Sequence, residues 1–333
     1  MVARSTLGWE QPMAEQQQPR SIAEMPAQRP AAPATEAEAR GRFFNTGNGF
    51  NVKLPPVPDR IFADEPAKAL DPATPTGLIA CDISGDLACR FPATTPLVLA
   101  HYAKIRAGES LTTDFVASGT IAYVMTGTGT TQCADQEISW NPGDLFILPG
   151  GEPALHAADD NDAVLWIVTN EPQLAFENLR APARGEAPTE LVHYRADEIA
   201  RQIDLIYEVG SNEDIAGSAL VFSAEQQEAT CNILPTLTVA MNSLPGGKVQ
   251  RPHRHNSVAV SLVIKGDRCF SVIDGRRKDW APWATTITPP VSVHSHHNGG
   301  NEQALFLIIQ DGGIYYHTQI GRASCRERVS PRV

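Results

Sequence analysis

Two stretches decide the reading of this chain: Pro252–Gly266, PHRHNSVAVSLVIKG, and further on Thr288–Asn298, TPPVSVHSHHN. In the first, Val258, Val260, Leu262 and Ile264 recur with period two, which predicts a β-strand. Alternation along that strand puts His253 and His255 on one face and Arg254 on the other. Two imidazoles so placed reach one metal ion. His294 or His296, from a later strand of the same barrel, supplies a third nitrogen. Three neutral imidazoles with coordination positions left open suit a divalent transition metal. Five of the nine histidines fall in these two windows, which end in Gly or Asn-Gly turn signals.

The chain has 333 residues, enough for two domains with cores of their own. Its apolar share of 42% and charged share of 20% are those of a soluble globular protein. A net charge of −11 argues against nucleic-acid binding, and no apolar run is long enough for a transmembrane helix. The six cysteines show no CxxC spacing, so reduced thiols in a cytoplasmic protein are expected.

In chain order, residues 1–40 are rich in Ala, Gln, Glu and Pro and read as a disordered arm. Residues 41–175 read as an N-terminal barrel, with residues 41–90 wrapping it. Its strands include Leu97–Tyr102 and Val164–Val168, and Asn141-Pro142-Gly143-Asp144 forms a turn. Residues 176–215 form a linker with an amphipathic helix over Asp197–Val209. Residues 216–319 read as a second barrel, with a hairpin at Asp274-Gly275 and a doubly buried strand at Leu305–Ile309. Residues 320–333, without periodicity, read as a non-native tail and are left out of the fold reasoning. The fold class is therefore all-β, two jelly-roll barrels in one chain joined by short linking helices.

Gly247, five residues, His-x-His and a closing Gly266 resemble the first cupin motif; Pro289-Pro290, His294 and Asn298 resemble the second. The run from HRH to TPPVSVHSHHNGGNEQALFLIIQD resembles the group of gentisate 1,2-dioxygenases and 1-hydroxy-2-naphthoate or salicylate dioxygenases over Gly246–Asp311. The cupin carboxylate ligand is absent, since its positions hold Ala259 and Val260. In the first barrel, counting from Gly108 puts Asp114 and Val116 at the ligand positions, and His156 stands alone.

This resemblance implies a bicupin whose second barrel holds Fe(II) on His253, His255 and His294, although imidazole also suits Zn, Mn and Ni. It implies a proton-shuttling role for His296. Arg251, two residues before His253, is a candidate carboxylate clamp, and Gln250 and Gln310 are candidate polar contacts for substrate. The implied reaction is ring cleavage of a hydroxylated aromatic carboxylic acid by O2, in a homo-oligomer without nucleic-acid or membrane partners. Two departures bear on the substrate. The group's carboxylate-gripping Arg is replaced by Ser261, and an acidic residue expected downstream by Ile308. The group also usually keeps its metal in the N-terminal barrel. A redox-neutral metal-dependent lyase or isomerase and a non-catalytic metal- or ligand-binding bicupin are the alternatives.

Overall fold

A computed structural model describes residues 20–50, 52–209 and 218–320 of the protein. The unit ending at Leu54 holds an antiparallel bridge, Gln28 to Phe43, and a one-turn helix, α1 (Glu36–Ala39). Thr35 caps α1 by accepting the Glu38 N–H on its hydroxyl. Residues 20–40, expected as part of a disordered arm, thus carry local structure supported by that cap. Residues 1–19 and 321–333, with the rest of the expected arm and nearly all of the expected tail, lie outside the described residues.

From Pro55 the chain is a second unit. It runs β1 (Ile61–Phe62), α2 (Asp64–Leu70), β2 (Gly77–Ala80), β3 (Leu99–Ile105), β4 (Ser110–Thr113), β5 (Gly119–Thr126) and β6 (Gly129–Cys133). Then follow β7 (Gln136–Trp140), β8 (Leu145–Pro149), β9 (Ala154–Ala158), β10 (Ala163–Thr169), α3 (Glu171–Glu177), β11 (Val192–Tyr194) and α4 (Ala196–Val209). The last part is β12 (Ser218–Phe222), β13 (Thr238–Leu244), β14 (Val249–His253), β15 (Ala259–Lys265), β16 (Cys269–Ile273) and β17 (Arg276–Asp279). It closes with β18 (Thr285–Thr288), β19 (His294–Asn298), β20 (Ala304–Gln310) and α5 (Gly312–His317).

These strands form two barrels, each a six-stranded and a four-stranded antiparallel sheet, as the all-β reading expects. The first has the orders β11-β8-β5-β10-β3-β2 and β4-β9-β6-β7; the second has β1-β18-β15-β20-β13-β12 and β14-β19-β16-β17. The expected hairpin is a two-residue turn with Asp274 and Gly275 both at positive φ, 46° and 80°, the twist that suits flanking strands. Two local expectations change. β1, placed by sequence in a wrap around the first barrel, instead pairs with β18 of the second. The single strand read over PHRHNSVAVSLVIKG is two, β14 and β15, broken at residues 254–258. Val291 has φ 57°, and β19 begins at His294.

The six-stranded sheets are buried on both faces, because alternate residues serve different cores. On β3 and β10, Ala100, Tyr102, Val164 and Trp166 join a core that also takes Val239, Leu262 and Leu307 of the second barrel. Ala103, Ile105, Leu165 and Ile167 fill the first barrel itself. Hydrogen bonds pin the shared core. Tyr102 Oη donates to the Trp283 carbonyl at 2.6 Å and lies 2.7 Å from Thr285 Oγ1, which also accepts from Trp166 Nε1 at 2.9 Å. In α4, Ile199 and Ile203 are buried, and Asp144 accepts the Ala196 N–H at its start.

Replacing Tyr102 by Phe keeps the ring and strands the Trp283 carbonyl without its donor. Leaving a buried acceptor unpaired costs about 1–3 kcal/mol. Urea unfolding of Tyr102→Phe should show a loss of that size; an unchanged midpoint would mean that these bonds do not hold the barrels together.

Candidate metal centre

The site is built on the pairing of β14 with β19. Pro245–Gly247 turns the chain into β14, with Gly247 at φ 70°, a conformation that glycine adopts without strain. Gln250 pairs with His296, but the next pair is His253 with His294, so β14 carries one extra residue at Arg251-Pro252. The bulge lies on an edge strand, where a proline without an N–H is tolerated. It returns His253 to the inside, opposite His294, with ring centroids 4.2 Å apart. His255 lies beyond the strand. Its carbonyl accepts the Val291 N–H at 2.8 Å, and its ring centroid stands 4.8 Å from that of His294 and 6.2 Å from that of His253.

The hydrogen bonds of these rings fix which nitrogen is free. His253 Nδ1 donates to the Arg251 carbonyl at 2.9 Å, His255 Nδ1 to Ser257 at 2.7 Å, and His294 Nδ1 to Ser292 at 3.0 Å. A neutral imidazole that spends its one proton on Nδ1 leaves a lone pair on Nε2. Metal-binding histidines are oriented in this way, by a backbone carbonyl behind the ring. The donor set therefore fits a divalent transition metal. Among the described residues no three His, Cys, Asp or Glu side chains are arranged so that together they could hold a metal ion. His255 Nε2 instead faces the Gln310 amide nitrogen at 2.9 Å.

Burial lowers the basicity of all three rings, pulling His255 down to about 4 and His294 to about 3; at these two, neighbouring histidines add to the effect. His296, buried beside them, is held well below its ordinary value for the same reasons. The rings are thus neutral near pH 7, the state that a metal needs.

The histidines open into a cavity of about 590 Å³. Gln250, Gln310, His253, His255, His294 and His296 line it. Arg251 does not. It is exposed, because the bulge breaks the alternation that would have turned it inward with His253. His297 faces outward and stacks on Phe270, which carries Arg277 on its ring at 3.7 Å. Asn242, Ser261 and Thr288 also line the cavity. Period-two alternation along β13 and β15 was the signal for the first two. Among the described residues the wall contains no Lys, Arg, Asp or Glu. Asp311 is buried just beyond Gln310 and accepts the Val258 N–H; burial pushes its carboxyl up to about 6.

The first barrel shows the same lattice filled. Thr113 pairs with Ala154 as His253 pairs with His294, so Thr113, not Asp114, holds the first ligand position. The count from Gly108 slips by one because β4 lacks the bulge of β14. Phe115 follows where His255 would be and stacks on His101, centroids 5.6 Å apart. His101 occupies the ladder position that Ala240 holds in the second barrel. A phenyl ring and an imidazole thus fill the space that the second barrel leaves open.

Metal-free protein should lose stability as pH falls from about 6.5 through 4. The unfolded histidines gain protons there, and the buried ones, with depressed pKa values, do not. Asp311, with its raised pKa, acts oppositely, losing its contribution as pH rises toward 6. Replacing His294 by Asn should flatten the histidine slope in a thermal-unfolding series across pH 4–7. An unchanged slope would show that these rings titrate as if exposed.

A family profile described as the AraC-like ligand binding domain matches residues 114–222. A 5-aminosalicylate 1,2-dioxygenase of Comamonas sp is 34% identical over 79 residues, 24% of this chain and 21% of that protein. A 1-hydroxy-2-naphthoate 1,2-dioxygenase of Nocardioides sp. (strain KP7) is 30% identical over 102 residues, 28% of this chain and 26% of that protein. The matches thus span about a quarter of these curated relatives. A solved salicylate 1,2-dioxygenase from Pseudaminobacter salicylatoxidans superposes with a TM-score of 0.67, at 14% identity, over 83% of this chain and 90% of that one. The chain has the two-barrel, bicupin fold of that structure and is similar in sequence, over about a quarter of its length, to the aminosalicylate and hydroxynaphthoate dioxygenases.

Proposed function

We propose that the second-barrel cavity is the active site of an Fe(II)-dependent dioxygenase that opens the ring of a hydroxylated aromatic carboxylic acid. The observation that carries this reading is the set of three neighbouring imidazoles, each with Nδ1–H tied to a backbone carbonyl so that Nε2 holds the lone pair a metal would take. His253, His255 and His294 would hold the ion. When bound, it would supply dioxygen activation and a positive charge that favours an anionic substrate. The relatives' names, with their salicylate and hydroxynaphthoate substrates, support the choice of aromatic acid.

The chain's own residues do the remaining work. Val221, Val239, Ala240 and Ile308 give the cavity apolar walls that suit an aromatic ring and exclude water. The Gln250 and Gln310 amides present hydrogen-bonding groups in its wall. With no cation among the described residues of the wall, a substrate carboxylate would need the metal's charge as its partner, since an unpaired buried carboxylate is costly. Gln310 would turn away from His255 as the metal loads, and its N–H then serves the substrate. His296, in reach of the same cavity, holds or passes a proton. A soluble, cytoplasmic homo-oligomer is part of this reading; no described helix is long and apolar enough to cross a membrane.

Ser261 facing the cavity, where the resembling group carries Arg, keeps a second reading in view. A redox-neutral lyase or isomerase, or a ligand-binding bicupin, would use the same nitrogens. Oxygen uptake by Fe(II)-loaded protein over salicylates, gentisate and hydroxynaphthoates separates these readings. Uptake with ring-opened product is expected; turnover without oxygen, or metal binding with no turnover, would overturn the dioxygenase reading.

Three substitutions divide the roles. His294→Ala should lose metal and activity together. His296→Ala, assayed at saturating metal, should keep the metal and lose roughly 10²–10⁴-fold in rate, the scale of general acid–base help. Gln310→Leu should bind metal at least as tightly, because it frees His255 Nε2, yet bind substrate about tenfold more weakly for one lost hydrogen bond. Metal loss in His296→Ala with retention in His294→Ala would reverse the assignment.

A further inference from the structure

Both barrels contain the same three-residue chain of hydrogen bonds, and its two ends differ. In the second barrel Trp280 Nε1 donates to Ser271 Oγ at 2.8 Å, and Ser271 Oγ lies 2.8 Å from His296 Nδ1. In the first, Trp140 Nε1 donates to Thr131 Oγ1 at 2.9 Å, and Thr131 Oγ1 lies 2.8 Å from His156 Nδ1. The positions correspond, since Ser271 pairs with His296 as Thr131 pairs with His156. An indole N–H only donates, so each hydroxyl accepts from its Trp and has one proton of its own to give. Both hydroxyls are buried, and the imidazole Nδ1 is the remaining partner that the structure gives them. The arrangement that spends every proton runs in one direction, from Trp to hydroxyl to Nδ1. It leaves the imidazole proton on Nε2. In the first barrel that proton is used, because His156 Nε2 meets Thr113 Oγ1 at 3.1 Å. In the second barrel the Thr113 position is His253, and His296 borders the cavity.

We propose that Ser271, oriented by Trp280, locks His296 in the Nε2–H tautomer, so that His296 faces the cavity as a hydrogen-bond donor and not as a fourth metal-binding lone pair. The contrast with its neighbours is direct. His253, His255 and His294 give their proton to backbone carbonyls through Nδ1 and keep a lone pair on Nε2, which at His255 accepts from the Gln310 amide. His296 receives a proton at Nδ1 and keeps its own on Nε2. Ser271 is thus a positioning residue that separates donor from ligand in a pocket of four histidines. Without this lock, four bare nitrogens could close around one ion and leave fewer positions for substrate and O2. That His296 donates to a molecule bound at the metal rests on the proposed function; the tautomer does not.

The test is two-bond 1H–15N correlation NMR of histidine-labelled protein, metal-free and Zn(II)-loaded, with the His296 signals assigned by their loss in His296→Asn. The expected wild-type pattern is a protonated Nε2 and a bare Nδ1 on His296. Ser271→Ala should move His296 toward the Nδ1–H tautomer or a mixture. Ser271→Thr should keep the wild-type pattern, because the first barrel builds the same chain with Thr131. A wild-type His296 protonated on Nδ1 would overturn the proposal, and so would a Ser271→Ala pattern identical to wild type. Because the readout needs neither iron nor turnover, a failed oxygen assay would count against the dioxygenase reading alone. A failed NMR result would count against the tautomer lock alone.

Discussion

The antiparallel pairing of β14 with β19 is the constraint on which the site depends. It places His253 directly opposite His294 and Gln250 opposite His296, so one ladder carries two proposed ligands and the proposed proton group. The bulge at Arg251-Pro252 makes this register possible. Without it, the inward alternation from Gln250 would run through Pro252, and His253 would face solvent. Backbone carbonyls of the same strand ends then take the Nδ1 protons of His253 and His294. Strand geometry therefore decides both where the rings stand and which nitrogen each one offers.

The two barrels act as a control on each other. They share the strand plan, the shared core between their six-stranded sheets, and the Trp-hydroxyl-His chain. They differ in a few lumen positions. Thr113, Phe115, Ala154 and His101 in the first stand where His253, His255, His294 and Ala240 stand in the second. The first interior is packed, and its His101 Nδ1 is left without a partner among the described residues. The second trades that packing for a cavity lined by four histidines. A cavity lowers stability, since the contacts of filled space are lost, and this cost is what makes the open lumen the candidate binding site.

Much of this was legible in the sequence. Two clusters of histidines, the Gly and Pro punctuation, and period-two runs gave the two barrels and the four inward histidines. The run Leu305–Ile309 read as doubly buried because it is: its odd residues pack between the barrels and its even ones face the lumen. Arg251 was misplaced because alternation assumes an unbroken strand, and a bulge shifts every later residue by one. Pro252 was the available signal, as proline inside a strand belongs to an edge or a bulge. Asn256-Ser257 similarly marked the break between His255 and β15. The crossing of β1 to the far barrel had no local signature, because two residues of strand carry no periodicity. The hydroxyls Ser271 and Thr131 were invisible for another reason: their role lies in a cross-strand partner 25 residues away.

The central claim is that one divalent ion sits on His253, His255 and His294, in the second barrel alone. Crystals of protein loaded with Fe(II) under anaerobic conditions, with data collected across the iron absorption edge, test it directly. The account predicts one anomalous peak per chain, about 2.1 Å from each of those three Nε2 atoms, with Gln310 turned away from His255 and His296 outside bonding distance. A peak in the first barrel, or one bonded to His296 in place of His294, would contradict it.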